Sequence, residues 1–262
     1  MSDNNLKSKS LSLGMTFECL ASGFKLALSK ECRAYVIIPV LVNLLLLSVG
    51  GYFAYTLINE VIFSLKEYLP DYLMFLLYLL TVIAALMIIF VCCYFFSTIA
   101  TIIASPFYGL LADKAELAIK GTSSADASLG EIIKDIPRVL KREFAKQCFF
   151  LPRALLCLII SLIPGLNLIS PVPWFLLGSW MGCLQYADYA YDNHKIPFKI
   201  MRNDLKASMF PTFVIGAVIA ICLAIPLLNL IVPPAAVCAG TKYYVELRKN
   251  SETAVTATAN AR

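Results

Sequence analysis

Four stretches of this chain, residues 34–59, 72–112, 154–186 and 207–241, run without one charged side chain. A spanning α-helix needs about 20 consecutive apolar residues, and every stretch exceeds that. Two of them carry the same interruption. Ile163-Pro164-Gly165-Leu166-Asn167-Leu168-Ile169-Ser170-Pro171 recurs as Ile225-Pro226-Leu227-Leu228-Asn229-Leu230-Ile231-Val232-Pro233. Proline removes a backbone donor and clashes with the preceding helical turn, so neither stretch can be one uninterrupted helix. Each reads as an apolar hairpin, helix in, turn at Pro-x-Leu-Asn, helix out. The arms, about a dozen to seventeen residues, fall at or below the length of a span, so the hairpins re-enter rather than cross. Irregular backbone at membrane depth is tolerated only where it is buried in protein or lines a cavity, so a binding site is expected at these turns.

Hydrophobic residues make up 60% and charged residues 15% of the 262, against roughly 45–50% and 25% in soluble domains. The chain is therefore read as an all-α integral membrane protein forming a single membrane domain. Its formal charge of +5 is read as membrane topology. No basic run is interleaved with base-stacking aromatics, so no nucleic-acid partner is expected. The first 33 residues lack a short apolar core followed by a small-residue cleavage site, and no cleaved signal peptide is expected. Nine cysteines, with no C-x-x-C pair among them, read as packing residues.

The expected layout follows from these stretches. Residues 11–33 form an interfacial helix, with Leu13, Phe17, Leu20, Phe24 and Leu28 at helical spacing; the same pattern also suits an amphipathic helix packed on the protein. Residues 34–59 and 72–112 are long spanning helices, joined by a loop over 60–71, the second bending near Ser105-Pro106. Residues 113–153 are a polar cytoplasmic helical segment. Ser128-Leu129-Gly130-Glu131 has capping-box spacing. The helix after it carries Ile132, Ile133, Ile136, Val139, Leu140 and Phe144 on one face and Lys134, Arg138, Lys141, Arg142 and Lys146 on the other, which predicts a solvated or surface-lying helix. Residues 154–187 and 207–241 are the two hairpins and 242–262 a tail. Basic residues are dense everywhere except in the 60–71 loop. The positive-inside rule then places both termini, the middle segment and the inter-hairpin linker in the cytoplasm, which requires a multi-pass chain with an even number of crossings.

Candidate chemistry is sparse. There is one histidine, no G-x-S-x-G, no His-Glu-x-x-His and no phosphate-binding loop, so neither an enzyme nor a nucleotide motor is expected. Asp188, Asp192 and His194 have spacing that could converge on a metal, but Lys195 beside them favours an ion-pair network, and no metal or cofactor is expected. The turn at Gly165 offers more. Glycine permits positive φ and close approach of a ligand to backbone. If a helix starts at or just beyond Asn167, the amides of Gly165, Leu166 and Asn167 are unpaired at the positive end of its dipole, an anion site. Arg33, just before the first span, would complete it. In the second copy Leu227 replaces the glycine, so that turn reads as the structural twin without a ligand.

The residues Gly23-Phe24-Lys25-Leu26, Ile38-Pro39-Val40-Leu41-Val42-Asn43, Tyr94-Phe95-Phe96-Ser97-Thr98-Ile99-Ala100 and Asp135-Ile136-Pro137-Arg138-Val139-Leu140-Lys141-Arg142-Glu143 resemble the CysZ sulfate permease family of bacterial inner membranes. The resemblance continues through Leu151-Pro152-Arg153-Ala154, Gln185-Tyr186-Ala187-Asp188-Tyr189, Asp192-Asn193-His194-Lys195-Ile196-Pro197-Phe198-Lys199 and Ile225-Pro226-Leu227-Leu228-Asn229, covering roughly residues 14 to 245. It implies two long transmembrane helices, two hemi-penetrating helical hairpins and a homo-oligomer in the lipid bilayer. It implies sulfate entry into the cytoplasm for cysteine biosynthesis; sulfite and thiosulfate stay open as substrates because geometry alone separates them poorly from sulfate. It also implies sulfate binding through Gly165-Leu166-Asn167 and a pair of adjacent arginines. Here the chain departs, with Arg33 followed by Ala34, while Lys30 stands about one turn earlier. The competing expectation is a membrane scaffold or accessory protein that assists another sulfate transporter.

Overall fold

The computed structural model describes residues 12–30, 32–68, 74–121, 129–225, 228 and 231–260. Every regular element among them is helical: α1 Leu13–Ala27, α2 Arg33–Tyr68, α3 Met74–Lys120, α4 Leu129–Leu162, α5 Pro171–Asn193, α6 Phe198–Ala207, α7 Met209–Leu223 and α8 Val232–Asn260, with a 3-10 turn at Leu166–Ile169 between α4 and α5. The chain divides into two compact units, one of Met1–Pro39 with Ser105–Arg262, the other of Val40–Ala104. The second unit consists of α2 from Val40 to its end and the first part of α3, and its large side chains such as Tyr52, Phe75 and Phe90 are exposed.

The helices outrun the apolar stretches that announce them. Helix α2 continues to Tyr68 through the segment expected as a loop, because nothing from Asn59 to Tyr68 is a glycine or proline. Charge marks the edge of an apolar stretch and does not by itself stop a helix. Helix α3 likewise passes Ala112 and the internal Pro106. It ends where Gly121, at φ +75°, donates its amide to the Leu117 carbonyl at 2.7 Å, the left-handed stop that glycine allows. Helix α8 runs on past Thr241 to Asn260. Helix α4 begins at Leu129, where the capping-box spacing puts it, although Ser128 lies outside the described residues. It continues unbroken through Arg153, so the polar middle segment from Leu129 onward and the first hairpin arm are one helix.

Two of these helices are long and apolar enough to cross a membrane, at Leu44–Val61 in α2 and Pro137–Leu162 in α4. Helices α6 and α7, bent by 102° at Ser208, would make a third if they act as one broken span.

Helix α5 is the centre of the first unit, packed along α7 and α8, while α1 lies along α8. Trp180, Leu184, Tyr191, Met201, Leu205, Ile215, Tyr243 and Val245 share one buried cluster. Small residues set the approach of the helices, as is common where helices associate in lipid. A Cβ on Gly216 of α7 would lie 1.7 Å from the Ser179 carbonyl oxygen of α5, and one on Gly23 of α1 would lie 2.4 Å from the Ala239 amide of α8. By contrast, nothing lies within 4 Å of the corresponding point on Gly178.

Gly216→Ala should therefore force α5 and α7 apart and cost about 1–3 kcal/mol, read as a lower thermal-unfolding midpoint in detergent. Gly178→Ala in the same assay should be neutral or stabilising by up to ~1 kcal/mol, since it only removes backbone freedom from a helix interior.

Candidate functional site

The α4–α5 hairpin holds the turn singled out by the sequence. Helix α4 ends at Leu162, and Gly165 then adopts φ +87° with nothing within 4 Å of its would-be Cβ. The 3-10 turn follows at Leu166–Ile169. It is closed by the Ser170 amide and hydroxyl, which both donate to the Asn167 carbonyl, at 3.2 and 2.8 Å. Trp174 Nε1 donates to Ser161 Oγ at 3.1 Å and ties the two arms together below the tip.

One of the three amides expected to be unpaired is not. Asn167 N–H donates to the Ile163 carbonyl at 3.1 Å, a bond to the fourth residue back that closes the turn over Pro164 and Gly165 ahead of the 3-10 coil. The Gly165 and Leu166 amides have no backbone acceptor among the described residues. The side chains of Leu162, Leu166, Leu168, Ile169 and Val172 stand exposed around them. Arg33 is the first residue of α2, and its side chain, with that of Ala34, lies outside the described part of the structure. In the second hairpin Pro226, Leu227, Asn229 and Leu230 also lie outside it. Helices α7 and α8 are linked there by Thr212 Oγ1 and Tyr243 Oη, 2.8 Å apart.

Behind the tip the hairpin is sewn together by charge. Arg138, Arg142 and Lys146 stand four residues apart on α4, and Asp188 and Asp192 stand four apart on α5, so each set forms a stripe on one helix face. Arg138 pairs with Asp192 and, at 2.7 Å, with Asp135. Arg142 meets Asp188 at 2.7 Å and Asp192 at 3.4 Å. Lys146, only 1% exposed, lies 2.6 Å from Glu143 and 3.2 Å from Asp188. Glu143 also accepts from Ser105 Oγ at 2.5 Å and Gln185 Nε2 at 3.4 Å.

The end of α5 completes the seam. Lys195 takes φ 55°, its amide donating to the Asp192 carbonyl at 2.8 Å and that of Ile196 to the Tyr191 carbonyl at 3.0 Å, a Schellman-type stop ahead of Pro197. This aims the Ile196 carbonyl at Arg142, whose Nη1 donates to it at 2.6 Å. Asp188 and Asp192 are thus members of an ion-pair network, as Lys195 suggested.

The face assignment on α4 is reversed. Arg142 and Lys146 point inward, whereas Leu140 and Phe144, the latter 70% exposed, point outward; Lys141 is exposed and Lys134 lies outside the described side chains. Ionisable residues within spanning segments face the protein interior and pair there, while apolar ones face lipid, so the amphipathic rule for water-soluble helices runs backwards. Each cation of the seam already meets a carboxylate, so the seam locks the hairpin and offers no spare charge to a free anion. Ser105, Glu143, Lys146 and Gln185 enter the sequence reading only as a bend, a basic helix face or parts of a motif, and not as members of one cluster. The readable signal was two stripes of opposite sign, each at four-residue spacing, on successive helices.

His194, the chain's one histidine, caps the far end: its Nε2 lies 2.8 Å from Glu116 Oε2, and Lys120 lies 2.8 Å from Glu116 Oε1. Burial pushes the Glu116 carboxyl up, but hydrogen bonds from His194 and Lys120 outweigh it and hold the group below the ordinary 4.5.

Two outcomes follow from these pairs. Lys146→Met should lower stability by about 3–5 kcal/mol, since Glu143 stays buried without its cation and Asp188 is left with Arg142 alone, and chemical denaturation in detergent would measure it. A carboxyl held below its ordinary value stabilises the fold above that value and loses the contribution as pH falls through the folded value. Acidification below 4.5 should therefore drain this contribution, and Glu116→Gln should flatten the acid limb of the thermal-midpoint profile.

The family described as Sulfate transporter CysZ/Etoposide-induced protein 2.4 matches residues 19–234, a range that takes in all of the α4–α5 hairpin and its charged seam as well as both copies of the repeated phrase. The chain belongs to that family.

Proposed function

We propose that this protein carries sulfate across the bacterial inner membrane into the cytoplasm, where it supplies cysteine biosynthesis. Membership of a sulfate-transporter family over residues 19–234 is the observation that carries this reading. In it, α2 and α3 are the long spanning helices, the α4–α5 and α7–α8 hairpins are hemi-penetrating, and the protein works as a homo-oligomer. The anion docks at the amides of Gly165 and Leu166 and at the exposed side-chain amide of Asn167, with Arg33 as its guanidinium partner.

Three features of the tip support the docking site. Gly165 leaves the backbone bare, the two amides have no backbone acceptor among the described residues, and the surrounding side chains are exposed and apolar. A donor left unsatisfied in hydrocarbon costs several kcal/mol. A tetrahedral oxyanion removes that cost through charge-assisted hydrogen bonds, which are about twice as strong as neutral ones.

Radioactive sulfate uptake into cells without other sulfate entry should fall roughly tenfold or more in Arg33→Ala, the loss of a hydrogen bond to a charged group. Gly165→Leu should match it, because a side chain there both blocks the backbone and is strained at positive φ. Wild-type uptake in both variants would remove the site. Purified protein in liposomes should pass sulfate without any partner, with sulfite and thiosulfate run alongside; no flux under several gradients would assign it an accessory role instead.

A further inference from the structure

Helix α1 turns three faces to three surroundings. Thr16, Cys19, Gly23 and Ala27 are buried, the last three on the side where Gly23 meets Ala239 of α8. Leu13, Phe17, Phe24 and Leu28 are about half exposed and form the apolar stripe that the sequence assigns to the membrane interface. The third face carries Ser22, Lys25 and Ser29. These three, with Leu26, Ile119 of α3 and Lys242 of α8, line an open cleft of about 370 Å³.

The polar groups of the cleft are unevenly matched. Lys25 forms no ion pair among the described residues. Lys242 lies 3.0 Å from Glu246, the one carboxylate paired with a lysine of the cleft. Glu18, one helical turn before Ser22, is the remaining acid on this side of α1. The Ser29 hydroxyl is buried and has no hydrogen-bond partner among the described residues. An ammonium without a counter-ion, a second ammonium and an unmatched hydroxyl converge on a space large enough for a phosphate. Lys25 and Leu28, three apart on the helix, are surface neighbours, so an anion at Lys25 sits at the edge of the apolar stripe.

We propose that this cleft holds the phosphate of an anionic phospholipid headgroup, bound by Lys25, Lys242 and the serine hydroxyls, with its acyl chains lying over Phe24 and Leu28. A soluble anion would use the charges alone. A lipid uses the charges and covers the exposed side chains, and both are present on one helix. Basic residues on an amphipathic helix attract anionic lipid in the same way. The site anchors α1, and through α1 the α8 helix against which it packs.

The full-length protein, purified and placed in nanodiscs of phosphatidylcholine with or without phosphatidylglycerol, tests this by native mass spectrometry and thermal unfolding. The wild type should retain phosphatidylglycerol selectively and unfold at higher temperature with it. Lys25→Gln and Lys242→Gln should each weaken retention about fivefold and abolish the thermal gain; in pure phosphatidylcholine Lys25→Gln should behave as wild type, while Lys242→Gln, which also takes the nearest lysine from buried Glu246, is compared with its own midpoint there. Lys206→Gln, at an exposed position on α6, should change neither. Undiminished phosphatidylglycerol selectivity in the double variant would overturn the proposal. Displacement of the lipid by millimolar inorganic phosphate or sulfate would also overturn it, in favour of a soluble-anion site.

Discussion

A lysine and an arginine that water scarcely reaches, Lys146 and Arg142, hold the α4–α5 hairpin in register. A buried cation without a partner is strongly destabilising, so any slide of α4 along α5 would have to break contacts to Asp188 and Asp192 together. The pairs say where the turn must fall. Arg138 with Asp192, and Arg142 with Asp188, are both symmetric about position 165, where the chain places its positive-φ glycine. The seam and the tip are therefore one construction. Charges deep in the hairpin set the geometry, and Gly165 closes it where the backbone must reverse. The left-handed Lys195 at the other end serves the same seam by turning the Ile196 carbonyl toward Arg142.

This arrangement also accounts for the outward face of α4. Once its charges are taken up inside, the helix presents Phe144, Leu151, Leu155, Leu156 and Ile159 to the outside. A face like that is stable against hydrocarbon and a poor one against water. Pro137 and Pro152 lie inside α4 without ending it, which is the behaviour of proline in helices whose freed carbonyls find other donors.

The repeated Pro-x-Leu-Asn phrase made the first hairpin legible in the sequence, and helical spacing made α1 legible; both follow from short-range chemistry. The limits of α2 and α3 were not legible. The last charge-free residue marks the edge of an apolar environment, and a helix such as α3 can run on through Asp113, Lys114 and Glu116 until a glycine stops it. The inward face of α4 was missed for a different reason. An amphipathic pattern shows that two faces differ and says nothing about which one meets the solvent, and in lipid the usual assignment inverts. The ring of groups on Glu143 joins Ser105, Lys146 and Gln185 across three helices, a convergence that no local pattern announces. The Asn167 amide was misassigned because the turn over Pro164 and Gly165 folds it back onto the Ile163 carbonyl four residues earlier, a closure that no residue type in the phrase announces.

That last detail bears on how an anion could be held at the tip. A helix N-terminus ordinarily offers several free amides and a dipole, but α5 opens with prolines at positions 171 and 173, which have no N–H to offer. Its Trp174 amide is already given to the Ser170 carbonyl at 3.3 Å. Within the first turn of α5, Val172 alone keeps a donor without an intrahelical role. The backbone donors of the tip are thus few, and those of Gly165 and Leu166 precede the helix instead of belonging to it. Two or three neutral amides are too few to replace the hydration of a divalent anion. A site here therefore requires a full positive charge from a side chain, and a guanidinium, whose planar fork matches an oxyanion's geometry, is the group best able to provide it.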